Sequence, residues 1–78
     1  MQADTVPEWV QTRRRTIGTR IRAGRLDADL TQMALADLCD VDHKTIHRIE
    51  YAVTDPSLGL LLRIADAIGV PLADLVRQ

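Results

Sequence analysis

His43, Lys44, His47 and Arg48 recur at the spacing that lines up polar side chains along one side of a helix. The chemistry open to such a row is recognition rather than bond-making. Arg grips two adjacent acceptors at once, as on a guanine edge, Lys reaches the same edge, and imidazole can donate or accept. His43 and His47, four apart, also have the spacing of two metal ligands on a helix. No third or fourth ligand accompanies them at a convincing spacing, so no metal and no other cofactor is expected. The sequence has no Gly-rich phosphate loop, and its single Cys39 falls on the inward side of a predicted helix, so catalysis is not expected either. The plainer reading of the four polar residues is a solvated helix face, and what decides between the two lies in the elements around them.

A helix that presents such a row must be held from behind. Ile46 and Ile49, three apart, anchor it from its other side, and Asp42 caps its start, which predicts a helix from about His43 to Tyr51. Ahead of it, Thr31 caps a predicted helix whose apolar side is Leu35, Ala36 and Cys39. Between them Asp40 tolerates a left-handed backbone, Val41 supplies an apolar plug, and Ala36 is the small residue needed where the helices cross. Two short helices with this turn, about residues 31–51, let one lie in a DNA major groove while the other braces it. Few two-helix hairpins meet all of these demands in register, which favours readout over a merely solvated face.

The rest of the chain reads as helix as well. Thr5 with Glu8 makes a capping-box pattern and Pro7 is tolerated in a first turn, although a start near Thr12 fits equally. Residues 1–13 are therefore either an extension or the early part of a first helix, and 14–78 form the domain. Val10, Ile17 and Ile21 share a side, and Gly24 weakens the last turn. After the loop Val53-Thr54-Asp55-Pro56, Ser57 caps a fourth helix with a wide apolar stripe of Leu58, Leu61, Leu62, Ala65 and Ile68, closed by Gly69. Leu72, Leu75 and Val76 of a short fifth helix face inward or toward a second copy. Five helices and no strand make an all-α fold.

Composition sets the frame. With 78 residues there is one domain, and with one Trp, one Tyr and no Phe its core must be aliphatic. One cysteine forms no internal disulfide, and no apolar run is long enough to span a bilayer, so a cytoplasmic protein without membrane contact is expected. The net charge of −1 conceals a gradient: residues 1–25 carry six Arg against Asp4 and Glu8, whereas residues 26–50 carry Lys44 and Arg48 against six acids. A local basic patch survives the neutral total.

Leu30-Thr31-Gln32, Leu35-Ala36, Val41, Thr45-Ile46, Arg48-Ile49-Glu50, Pro56-Ser57 and the run from Leu61 to Val70 together resemble the Cro/repressor-type helix-turn-helix family, also called XRE. The likeness reaches back to Ile17-Gly18 and covers about residues 14–76. It implies a compact five-helix, lambda-repressor-like domain and a bacterial or phage transcription regulator that binds double-stranded DNA, most simply as a repressor. It also implies roles by position. His43, Lys44 and Arg48, with His47 as a fourth, read base edges. Gln32 bonds a phosphate and steadies the recognition helix, with Thr31, Thr45, Thr54 and Ser57 as further backbone contacts. Arg25 and Glu50 form a partly buried ion pair. Asp37 matches a position through which some phage repressors touch RNA polymerase.

The sequence departs from the family at Asp29, Asp40 and Ala52, where Gly is preferred, and at His47, where Ser is frequent. Asp40 and Asp42 oppose non-specific DNA binding; Arg13, Arg14 and Arg15, either an ordinary exposed face or contacts to flanking phosphates or the minor groove, are the candidates to offset them. Trp9, with Val6 and Val10, either covers the core or joins a dimer contact. A homodimer reading an inverted repeat with half-sites about 10 base pairs apart is the expected assembly, with Leu72, Leu75 and Val76 as its contact. No sensing module follows the last helix of this sequence, so small-molecule control through one is not expected. The rival reading is a protein-interaction module, such as an antitoxin that holds a toxin.

Overall fold

The computed structural model describes residues 6–78, which form α1 (Glu8–Asp27), α2 (Gln32–Cys39), α3 (His43–Glu50), α4 (Leu58–Ile68) and α5 (Leu72–Val76), with no strand among the described residues. Three starts are fixed by side chains that satisfy otherwise orphaned amides. Thr31 Oγ1 accepts from the Ala34 amide at 3.0 Å, Asp42 Oδ1 from Lys44 at 2.6 Å, and Ser57 Oγ from Leu60 at 3.1 Å. The Lys44 amide, and after it that of Thr45, holds the Asp42 carboxyl below the ordinary aspartate range. α1 has no such cap: it starts directly after Pro7, and Thr5 lies outside the described residues.

Helix ends use left-handed residues. Asp40 has φ 58° and Gly69 φ 79°, and the Val41 and Val70 amides return to Ala36 and Ala65 carbonyls at 3.0 Å, which closes both helices. The other positive φ values belong to Asp29 at 65° and Ala52 at 60°. All three positions where the family prefers Gly are thus left-handed, and the chain fills them with residues that bear a Cβ. Aspartate tolerates this conformation through its short polar side chain, whereas alanine has no such compensation.

α2 and α3 pack on each other, α4 lies against α2, α1 crosses α3 and α4, and α5 closes the end against α1 and α4. Ile21, Leu35, Ala36, Cys39, Ile46, Ile49, Ile64, Ala65, Ile68 and Leu75 form the core. Burial pushes the Cys39 thiol up, against the opposing pull of Arg63.

Two glycines let helices approach closely. A Cβ on Gly18 would collide with the backbone carbonyls of Glu50 and Ile49, so α1 and α3 meet backbone to backbone. Gly24, read in the sequence as a weakness in α1, is the place where Ile68 of α4 nests, 2.6 Å from a would-be Cβ.

Three apolar assignments are corrected by the packing. Leu58 and Leu62 are 65% and 51% exposed. They share a side of α4 with exposed Asp66, while the buried stripe runs through Leu61, Ile64, Ala65 and Ile68. Trp9 is 70% exposed and does not cover the core. α1 has 20 residues, about 30 Å, and outreaches the helices of 8 and 11 residues that pack on it. Leu75 is 2% exposed and serves this chain's own core, not a contact surface, and Leu72 and Val76 are half-buried beside it. Among the described residues no helix is long and apolar enough to cross a membrane.

Candidate nucleic-acid interface

Seven of the eight residues of α3 divide cleanly, with Thr45 half-buried between the two sets. Ile46, Ile49 and Glu50 are buried, and His43, Lys44, His47 and Arg48 are exposed. The four exposed side chains, together with Gln32 at the start of α2, line one shallow polar cleft. The sequence-predicted base readers are therefore on a single surface, and nothing within the described residues ties up Lys44 or Arg48 by a side-chain bond.

Behind that surface lies an ionic clamp. Arg25 Nε donates to Glu50 Oε2 at 2.6 Å and Nη2 to Oε1 at 3.1 Å, with both side chains buried. Arg25 Nη1 also donates to the Leu30 carbonyl at 2.9 Å, which joins α1 to the segment that opens α2. Such fork-shaped pairing fixes orientation as well as distance. Gln32 Nε2 adds a third donor to Glu50, at 3.1 Å from Oε1, and lies 3.5 Å from His47 Nδ1. His47 in turn rests on the Tyr51 ring, centroids 4.7 Å apart and tilted by 39°.

The expected phosphate contacts fare differently from one another. Thr31 and Ser57 use their hydroxyl oxygens as cap acceptors, which leaves each O–H free to donate outward. Thr54 is exposed in the loop and Thr45 half-buried on α3. Gln32 turns its amide nitrogen toward Glu50 and His47. Arg13 and Arg14 are engaged elsewhere. Arg13 donates to the Val76 carbonyl of α5 at 2.7 Å, and Arg14 pairs with Asp55 at 2.7 Å. Arg20 likewise binds carbonyls of Leu75 and Arg77.

Four of the six arginines in residues 1–25 thus tie α1 to other segments, and the basic run is in large part a structural device. The cations it leaves outward are Arg15, whose one side-chain bond is a 3.3 Å contact to Thr12, and Arg22. With Thr19 they line a groove that Glu50 and Tyr51 close, next to the exposed side of α3. The sequence signal was available: residues 15, 19 and 22 recur at helical spacing, on a different side of α1 from half-buried Ile17 and buried Ile21.

Comparison with known proteins agrees with this geometry. The helix-turn-helix family model matches residues 21–75. An immunity repressor from Bacillus phage phi105 is 34% identical over 63 residues, which is 81% of this chain and 44% of that protein. The P22 c2 repressor, solved in complex with a synthetic operator, superposes with a TM-score of 0.74 at 30% identity, over 78% of this chain and 92% of that one. The clp gene regulator ClgR from Corynebacterium glutamicum gives 0.78 at 27% identity, over 81% and 67%. The chain spans less than half the length of the phage immunity repressor it matches.

Proposed function

The chain belongs to the Cro/repressor-type helix-turn-helix family, and from that membership we propose that it reads operator DNA through His43, Lys44, His47 and Arg48 of α3 and acts as a repressor. The observation that carries this reading is the division of α3. Its buried residues dock it on α1 and α2, and its four exposed ones project together from a braced helix. α3 enters the major groove, where Arg48 and Lys44 seek the acceptors of guanine. The first turn of α2, the hydroxyls of Thr31, Thr45, Thr54 and Ser57, and the Arg15–Arg22 groove hold the flanking phosphates, which set position without reading sequence.

A single α3 spans too few base pairs for a specific site, so two copies on an inverted repeat with centres about 10 base pairs apart complete it. Leu72 and Val76 remain half-exposed and form the reachable part of the expected contact, whereas Leu75 does not. Promoter occlusion is the simplest consequence.

Selection of sites from a random duplex pool, run with wild type and Arg48→Ala, tests this. An enriched inverted repeat that loses one base preference in the variant is expected, at a cost of about 1–3 kcal/mol. Failure of the folded protein to enrich any site at modest salt points instead to a protein partner.

A further inference from the structure

The contacts behind His47 bear on which of its nitrogens carries the proton. Both oxygens of Glu50 accept hydrogen bonds from Arg25, so this carboxylate presents only acceptors. Gln32 approaches Oε1 at 3.1 Å, and an amide oxygen has no attraction for that site. Its NH2 group must therefore point at Glu50, which removes the usual freedom of a glutamine side chain to flip. The same Nε2 lies 3.5 Å from His47 Nδ1. At that length the bond itself is weak, but its sign matters: an N–H on Nδ1 would face another N–H, whereas a lone pair there is favoured. A neutral imidazole with a lone pair on Nδ1 carries its proton on Nε2. Tyr51, the residue that follows α3, lies against the ring with centroids 4.7 Å apart.

We propose that the Arg25–Glu50–Gln32 relay fixes the His47 proton on Nε2, so that His47 reads a hydrogen-bond acceptor, the N7/O6 edge of guanine, in the major groove. This rests on the DNA-reading role proposed above. His47 is exposed beside Lys44 and Arg48 in the same cleft, so Nε2–H is the group it offers outward. Guanine presents two adjacent acceptors there, while cytosine presents an amino donor that would meet N–H with N–H. Gln32 is in this scheme a positioning residue: it touches no base and acts through the ring it orients.

Two measurements on the whole chain test the assignment. Long-range 15N–1H correlation at about pH 8.5 should show His47 in one tautomer with Nε2 protonated. Gln32→Met, with its melting temperature checked against wild type, should shift that population toward Nδ1–H. In the site selection, His47→Ala should relax one guanine position. Placing 7-deazaguanine there should weaken wild type about tenfold and leave His47→Ala unchanged.

A proton on Nδ1, a His47-dependent position that selects cytosine, or a Gln32→Met protein with unaltered tautomer and base preference each overturns the proposal while DNA reading stands. So does an enriched site with no His47-dependent position. A wild type that enriches no site overturns both.

Discussion

The side of α3 that faces α1 and the side that faces solvent differ in what they tolerate. On the inner side the backbones meet at Gly18, and an ion pair is sealed between two helices, with Glu50 at 4% exposure. Nothing there has room to change, because interiors are close-packed and a buried charge deprived of its partner has no water to turn to. On the outer side four side chains project into solvent and are free to be exchanged at little cost to folding. One helix of eight residues therefore separates the two demands on a reader. Its inner half fixes where it stands and its outer half decides what it meets.

The separation can be broken most severely at the ion pair. Arg25→Met leaves Glu50 buried with Gln32 alone, and urea unfolding should show a loss of about 3–5 kcal/mol. That is a large part of the roughly 4–12 kcal/mol expected of a chain this size. Adding Glu50→Gln to Arg25→Met should recover part of the loss, since the stranded charge is then gone. Gly18→Ala comes next. Its methyl group would press on a backbone carbonyl that cannot rotate away, and about 2–3 kcal/mol should be lost despite the better helix propensity of alanine. Gly24→Ala meets only the mobile end of Ile68, so its melting temperature should fall less than that of Gly18→Ala.

Ala52 sharpens the comparison from the opposite direction. It follows α3 at φ 60°, where a Cβ is strained, and Ala52→Gly should raise stability by about 1 kcal/mol in thermal unfolding. On the outer side, Arg48→Ala should alter DNA preference with a stability change within about 0.5 kcal/mol. Asp42 gives the smallest effect. Its folded-state carboxyl lies below its unfolded value, so the stability this contributes is present above the ordinary aspartate range and is lost as pH falls below that range through the depressed folded value. The advantage of wild type over Asp42→Asn, which keeps a neutral cap, should therefore shrink on acidification, as followed by melting temperature against pH.

Much of the fold was legible because its signals are local. Thr31, Asp42, Ser57 and Gly69 act within three or four residues of themselves, and they end up as the caps their types suggest. Ile46 and Ile49 mark the inner side of α3 through spacing alone, so the outward row of His43, Lys44, His47 and Arg48 followed from the same pattern. The left-handed backbone at Asp40 was legible from a residue type that tolerates it, whereas those at Asp29 and Ala52 were legible only through the family's preference for glycine.

What the sequence by itself determined, then, was five helices, the caps of α2, α3 and α4, and the division of α3. The tertiary structure decided which neighbour each surface meets. A leucine stripe wider than its partner leaves Leu58 and Leu62 outside, a helix longer than its neighbours exposes Trp9, and the docking of α5 takes Leu75 inside. The arginines of α1 found carbonyls and an aspartate 41 to 63 positions away, which left Arg15 and Arg22 to face outward. The relay from Arg25 through Glu50 and Gln32 to His47 joins three helices. The physical reason is range. Caps and helical period are settled by bonds between near neighbours, whereas burial and long-range pairing depend on how whole helices pack, and a one-dimensional pattern does not contain that packing.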